Sequence, residues 1–147
     1  MELLYDDNYF MKQALIEAQK AFEADEVPVG AVIVIDNKII SRAHNLTERL
    51  NDVTAHAEMQ AITSAANSLN GKYLIGCSLY VTLEPCVMCF GAIYWAQLSR
   101  IIFAAGDPKR GYQQAKIIPH PKANVTAGIM ESESVELLNK FFNNKRK

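Results

Sequence analysis

The apolar positions of the chain fall into two periods that alternate along its length. Between Tyr9 and Ala24, residues Phe10, Ala14, Leu15, Ala18, Ala21 and Phe22 recur at three- and four-residue spacing. That stripe predicts an amphipathic helix, with Asp7 or Asn8 placed to cap it. Val29 to Ile35 is β-branched and nearly all apolar, the pattern of a buried strand. Asp36-Asn37 then makes a turn, and Lys38 to Ala43 returns as the second arm of a hairpin. A polar run, Asn51 to Thr54, precedes a helix expected over Ala55 to Ser68 and closed by Asn70-Gly71. Leu79 to Leu83 reads as a third strand stopped by Pro85, Val87 to Ala96 as a helix, and Ile101 to Ala105 as a fourth strand. Gly106 to Ala123 contains three prolines and Gly111 and reads as a long loop, of the kind that usually carries function. A fifth strand over Val125 to Ile129 and a helix over Ser132 to Asn143 complete the pattern.

This alternation predicts an α/β domain: a three-layer α/β/α sandwich around one mixed sheet of about five strands, mixed because of the Val29–Ala43 hairpin. The 147 residues, half of them apolar, suit one domain spanning 1–147. No apolar run approaches the ~20 residues of a membrane span. The stretch from Met1 to Asp7 carries acidic residues where a secretory signal would carry basic ones. A cytoplasmic protein without a membrane partner is therefore expected.

Charge changes the picture in one respect. Residues 1–75 hold 6 basic and 11 acidic residues, whereas residues 76–147 hold 9 and 5. The overall charge of −1 thus conceals a basic C-terminal half, ending in Lys145-Arg146-Lys147. Such a local excess suits a polyanion, although a solvated tail has the same composition.

Three cysteines are too few, and odd in number, for a disulfide framework. Cys77 sits alone in an apolar stretch and reads as a small buried hydrophobe. Cys86 and Cys89 have C-x-x-C spacing at the expected start of one helix, and His56 stands in the expected first turn of another. A helix N-terminus favours thiolates, and Pro85 suits the entry to such a helix. One imidazole and two thiolates are a donor set for Zn²⁺. His44 and His120 lack a ligand-like spacing, so three ligands leave a position for water, which zinc ionises near neutral pH. Glu58, two residues after His56, is placed to move protons.

H-x-E followed by P-C-x-x-C is the signature of the zinc deaminases. The chain resembles the bacterial tRNA-specific adenosine deaminases within that group. The likeness rests on Val27-Pro-Val-Gly-Ala-Val32, Asn45, Asp52-Val-Thr-Ala-His-Ala-Glu58, Leu79-Tyr-Val-Thr-Leu-Glu-Pro-Cys-Val-Met-Cys89, Gly91-Ala92 and Phe141-Phe142. It implies a cytidine-deaminase-like fold, a homodimer, and one zinc ion per subunit on His56, Cys86 and Cys89, with Glu58 as proton shuttle. It implies that Asn45 hydrogen-bonds the target base, that Val29 forms part of the wall beside it, and that the backbone near Ala57 holds the water and the ring. The implied substrate is the wobble adenosine in the anticodon stem-loop of an arginine tRNA, converted to inosine. An anticodon loop offers unstacked bases that enter a pocket at modest cost. Asp107, Lys109 and Arg110 match a substrate-contacting loop in form, and Phe142, Lys145 and Arg146 would pack the last helix and touch phosphates.

Gly91-Ala-Ile-Tyr-Trp-Ala96 instead resembles the corresponding helix of bacterial guanine deaminases, and Tyr112 to Lys116 departs from the small-residue run of the tRNA enzymes. Tyr94 and Trp95 are expected to fill the core or a dimer contact. Deamination of a free base or nucleoside, and a non-catalytic zinc-stabilised RNA-binding domain, therefore stand beside the tRNA reading.

Overall fold

The computed structural model describes residues 4–145. Helix α1 (Asp7–Glu23) is capped by Asp6, one residue before Asp7 and two before Asn8: the Asp6 carboxylate accepts the Tyr9 N–H at 2.9 Å. Asp7 is engaged elsewhere, in an ion pair with Arg100 at 3.0 Å and a hydrogen bond from the Tyr80 hydroxyl at 2.6 Å. Strands β1 (Gly30–Ile35) and β2 (Lys38–His44) form the hairpin, and Asp36 and Asn37 both take positive φ at its turn. Helix α2 (Ala57–Leu69) ends on Asn70 in the left-handed conformation. Strand β3 (Ser78–Leu83), helix α3 (Val87–Ala96) and strand β4 (Arg100–Ala105) follow as expected. Strand β5 is shorter than its apolar run, Asn124–Ala127, because Gly128 turns the chain at φ 92°. Helix α4 runs from Glu131 to Lys145.

The sheet order is β2-β1-β3-β4-β5. β1 lies antiparallel to both β2 and β3, whereas β3, β4 and β5 are parallel. Side chains alternate across this mixed sheet. Ala31, Ile33, Leu79, Val81, Ile101 and Phe103 face one core, which α2 and α3 close with Ala57, Ala61, Ala65, Phe90 and Ile93. Val32, Val34, Tyr80, Ile102 and Ala104 face the other, closed by Phe10, Met11 and Ala14 of α1. Cys77 lies buried in the first core. On the opposite layer α4 is clipped to β3, with the buried Ser134 hydroxyl donating to Thr82 O at 2.6 Å. The three layers and the mixed sheet agree with the alternation read from the chain.

One end of the sheet collects the start of β1, the residue after β2 and the carboxyl ends of β3 and β4. The N-termini of α2 and α3 point to that same end. Crevices beyond strand carboxyl ends are the usual ligand sites of open α/β sheets.

Candidate metal centre and substrate cleft

His56 and Cys86 each occupy the N-cap position of their helix, one residue earlier than a first-turn placement, with extended backbone and no side-chain cap bond. Their side chains are therefore available to face each other across the crevice. Cys86 Sγ lies 3.7 Å and Cys89 Sγ 3.4 Å from His56 Nδ1. All three ligand atoms fall within 4.8 Å of one another, and they are the one such group among the described residues. Tetrahedral zinc with ordinary Zn–N and Zn–S bonds separates N from S by about 3.6 Å, so the donor set fits the ion. His44 and His120 are not part of this group.

The three donors already share charge. A hydrogen bond from the Cys89 thiol holds Cys86 down to about 4, helped by His56. The same bond, with burial, raises Cys89. The Cys86 side chain raises His56, against the effect of burial. A metal ion would displace the proton that the two sulfurs share.

Glu58 is the second residue of α2 and is 4% exposed. Burial pushes its carboxyl up to about 7, against the opposing pull of its own backbone N–H and of His56. A carboxyl poised there both accepts and gives protons at neutral pH.

His56, Glu58 and Cys86 form part of the lining of a cleft of about 750 Å³, within the range of small-ligand sites. Val27, Val29, Asn45 and Thr47 line one side; Leu83, Glu84 and the loop Gly106–Arg110 line another; α4 contributes Leu138, Asn139, Phe142 and Asn143. Two buried carboxylates shape the walls. Glu26 accepts the N–H groups of Glu48 and Arg49 at 3.0 and 2.8 Å, fixing the turn after Thr47. Glu84 does the same for the loop after β4, accepting the N–H groups of Asp107 and Gln113.

Several sequence expectations take a more specific form. Asn45 Oδ1 accepts the Ala57 N–H at 2.9 Å and its Nδ2 donates to Val27 O at 3.1 Å. One N–H and one lone pair of the amide remain for a ligand, whereas the Ala57 N–H is already committed. Val29 both lines the cleft and belongs to the core. The Asp107 carboxylate lines the cleft but accepts the N–H groups of Lys109 and Arg110 at 3.1 and 3.0 Å, so it shapes its own loop. Lys109 and Arg110 are exposed at the rim. Phe142 lines the cleft, while Phe141 is buried against Phe22.

Lys145 departs from expectation. It is absent from the cleft lining and pairs with Asp25 at 2.6 Å, because α4 carries it beyond the rim to the end of α1. Arg146 lies outside the described residues. Tyr94 and Trp95 do not fill the core: Trp95 is 77% exposed. Sequence reasoning missed Glu84, Thr47, Leu138, Asn139 and Asn143. The four-residue spacing of Asn139 and Asn143 beside Phe142 was the available signal for the last pair.

Residues 4–105 match the profile of the cytidine and deoxycytidylate deaminase zinc-binding region. A tRNA-specific adenosine deaminase of Aquifex aeolicus is 49% identical, over 94% of this chain and 95% of its own. A solved structure from work on A-to-I editing by tRNA:A34 deaminases superposes with a TM-score of 0.81 at 46% identity, covering 88% of this chain and 99% of that one. A guanine deaminase structure from Bacillus subtilis gives 0.68 at 39% identity, covering 76% and 70%.

Proposed function

The chain belongs to the cytidine and deoxycytidylate deaminase family of zinc enzymes, and from that premise we propose that it hydrolyses the wobble adenosine of a tRNA to inosine, releasing ammonia. One observation carries the mechanism: a buried acid, Glu58, stands beside a three-donor metal group at one end of a cleft whose rim holds Lys109 and Arg110. His56, Cys86 and Cys89 would hold one zinc ion per chain. When bound, zinc supplies the Lewis acidity that makes water a nucleophile at neutral pH.

Glu58 takes the proton of the attacking water on a carboxylate oxygen and passes it to ring N1 of adenine. It then passes the second proton to the departing amine. Its raised pKa suits a group that must alternate between acid and base. Asn45 uses its remaining donor and acceptor on the base, and Val29 packs beside the ring. Lys109 and Arg110 meet backbone phosphates, and Phe142 and Asn143 line the opposite wall. The anticodon loop of an arginine tRNA presents such a base unstacked. Its setting is the cytoplasm, and the working form is a homodimer that covers the outer face of α3.

The guanine deaminase likeness keeps a free-base reading in view. Tyr94 and Trp95, the residues behind that likeness in the sequence, do not line the cleft, so they do not speak for a free base. Glu58 weighs against a purely structural zinc domain.

Purified protein should release ammonia from an anticodon stem-loop bearing wobble adenosine, and not from guanine, cytosine, adenosine or cytidine. Turnover of guanine without turnover of the stem-loop overturns the reading. Glu58→Ala should retain zinc by metal analysis while losing turnover by a factor of about 10²–10⁴.

A further inference from the structure

Glu84 lies between the Cys86 turn and the loop that forms one wall of the cleft. Its side chain is buried, and each carboxylate oxygen accepts one backbone N–H: Oε1 from Asp107 at 2.9 Å and Oε2 from Gln113 at 3.0 Å. Between those two amides stand Pro108, Lys109 and Arg110, which line the cleft. Gly111 closes over the same carboxylate. A Cβ there would stand 2.3 Å from Oε2 and 2.5 Å from Oε1, so a side chain at this position would have to push the carboxylate aside.

The two residues after Glu84 engage the loop as well. Pro85 O accepts the Tyr112 N–H at 2.9 Å, and Cys86 pairs with Gly111 in an isolated antiparallel bridge. Tyr112 is held from below by Phe90, whose ring stacks on it at 3.7 Å. The chain from Glu84 to Cys86 thus carries a metal-group residue at one end and a loop anchor at the other. The anchor uses both side-chain oxygens as acceptors: Glu84 presents two to the two N–H groups, whereas an amide would turn an NH₂ toward one of them.

We propose that Glu84 is a positioning residue for RNA: it fixes Lys109 and Arg110 at a set distance from the metal group, so that phosphate contacts and the target base are engaged together. The proposal rests on the tRNA reading above and adds to it the element that sets the register of the RNA. Both oxygens of this carboxylate are engaged by loop N–H groups, which ties the side chain to the loop although it lines the cleft.

The test compares the zinc-loaded chain with Glu84→Gln and with Gly111→Ala, which keeps the acid but intrudes on it. Amide hydrogen exchange at Asp107 and Gln113, zinc content, and kcat and KM on the stem-loop are measured. Both variants should exchange about ten-fold faster at one or both amides and raise KM about ten-fold. They should keep their zinc, and kcat should stay within about two-fold. Unchanged exchange with unchanged KM overturns the proposal, as does a fall in kcat or zinc content with KM intact, which would place Glu84 in service of the metal group instead. If the unsubstituted chain leaves the stem-loop untouched, the tRNA reading falls and the RNA part of this proposal with it. The exchange rates then decide the anchoring by themselves.

Discussion

At the scale of the residue, Glu58 is a carboxylate placed where its charge is unwelcome. Burial disfavours the ionised form, and the carboxyl rises from 4.5 to about 7. The raised value has a consequence for the metal-free protein. A group whose folded pKa exceeds its unfolded one stabilises fully below the unfolded pKa and loses that contribution as pH rises through the folded one. Metal-free protein should therefore lose up to about 3 kcal/mol between pH 4.5 and pH 7 on account of Glu58. Glu58→Gln should remove that slope, raising the melting temperature of chelated protein more at pH 8 than at pH 5. Equal shifts at both pH values would show that the carboxyl titrates as an exposed one does. Cys77, by contrast, is a buried cysteine without ligand partners, and burial pushes its thiol up, away from reactivity.

At the scale of the element, the site depends on where two helices begin. His56 and Cys86 are both N-caps, so each leaves its strand-side loop in extended conformation and projects its side chain into the crevice before the helix turns. β1 supports the opposite wall, and its own position depends on a close approach to α1. A Cβ at Gly30 would stand 2.1 Å from Ala14 O and 2.4 Å from Ala18 N, both backbone atoms that no rotamer change can move. Gly30→Ala should therefore push α1 from the sheet and cost about 3 kcal/mol, read as a lower denaturant midpoint. The next residue back, Val29, lines the cleft, so zinc-loaded Gly30→Ala should also bind the stem-loop more weakly. Ser134 on α4 provides a matching clip on the far side, tying the helix that carries Phe142 and Asn143 to β3.

At the scale of the whole molecule, the outer face of α3 is an apolar surface that the single chain leaves uncovered. Val87, Tyr94 and Trp95 are exposed there, on a helix whose other side fills the core. Tyr94 stacks obliquely on His120 of the long loop, with ring centroids 5.1 Å apart, so the loop borders this face. An exposed tryptophan on an apolar helix face is characteristic of an interface. Under the homodimer reading, Trp95→Glu should sediment as a monomer at micromolar concentration while retaining zinc. A variant that still sediments as a dimer would move the interface elsewhere. The three layers, the element order and the two junctions that carry His56, Cys86 and Cys89 were legible in the sequence, since each depends on periods and spacings within about a dozen residues. His56, Glu58, Cys86 and Cys89 belong to that class, because a short motif fixes both the residue type and its place at a helix start. The walls of the cleft do not. Glu84 reads as one more acid before a proline until the fold brings Asp107 and Gln113 onto it. Lys145 reads as a phosphate contact until α4 delivers it to Asp25. Tyr94 and Trp95 read equally as core and as interface until the register of α3 turns them outward. Short-range spacing determined the three-donor group and the acid beside it; contacts between residues far apart in the chain decided what surrounds them, because only the packed sheet and helices set which side chains converge.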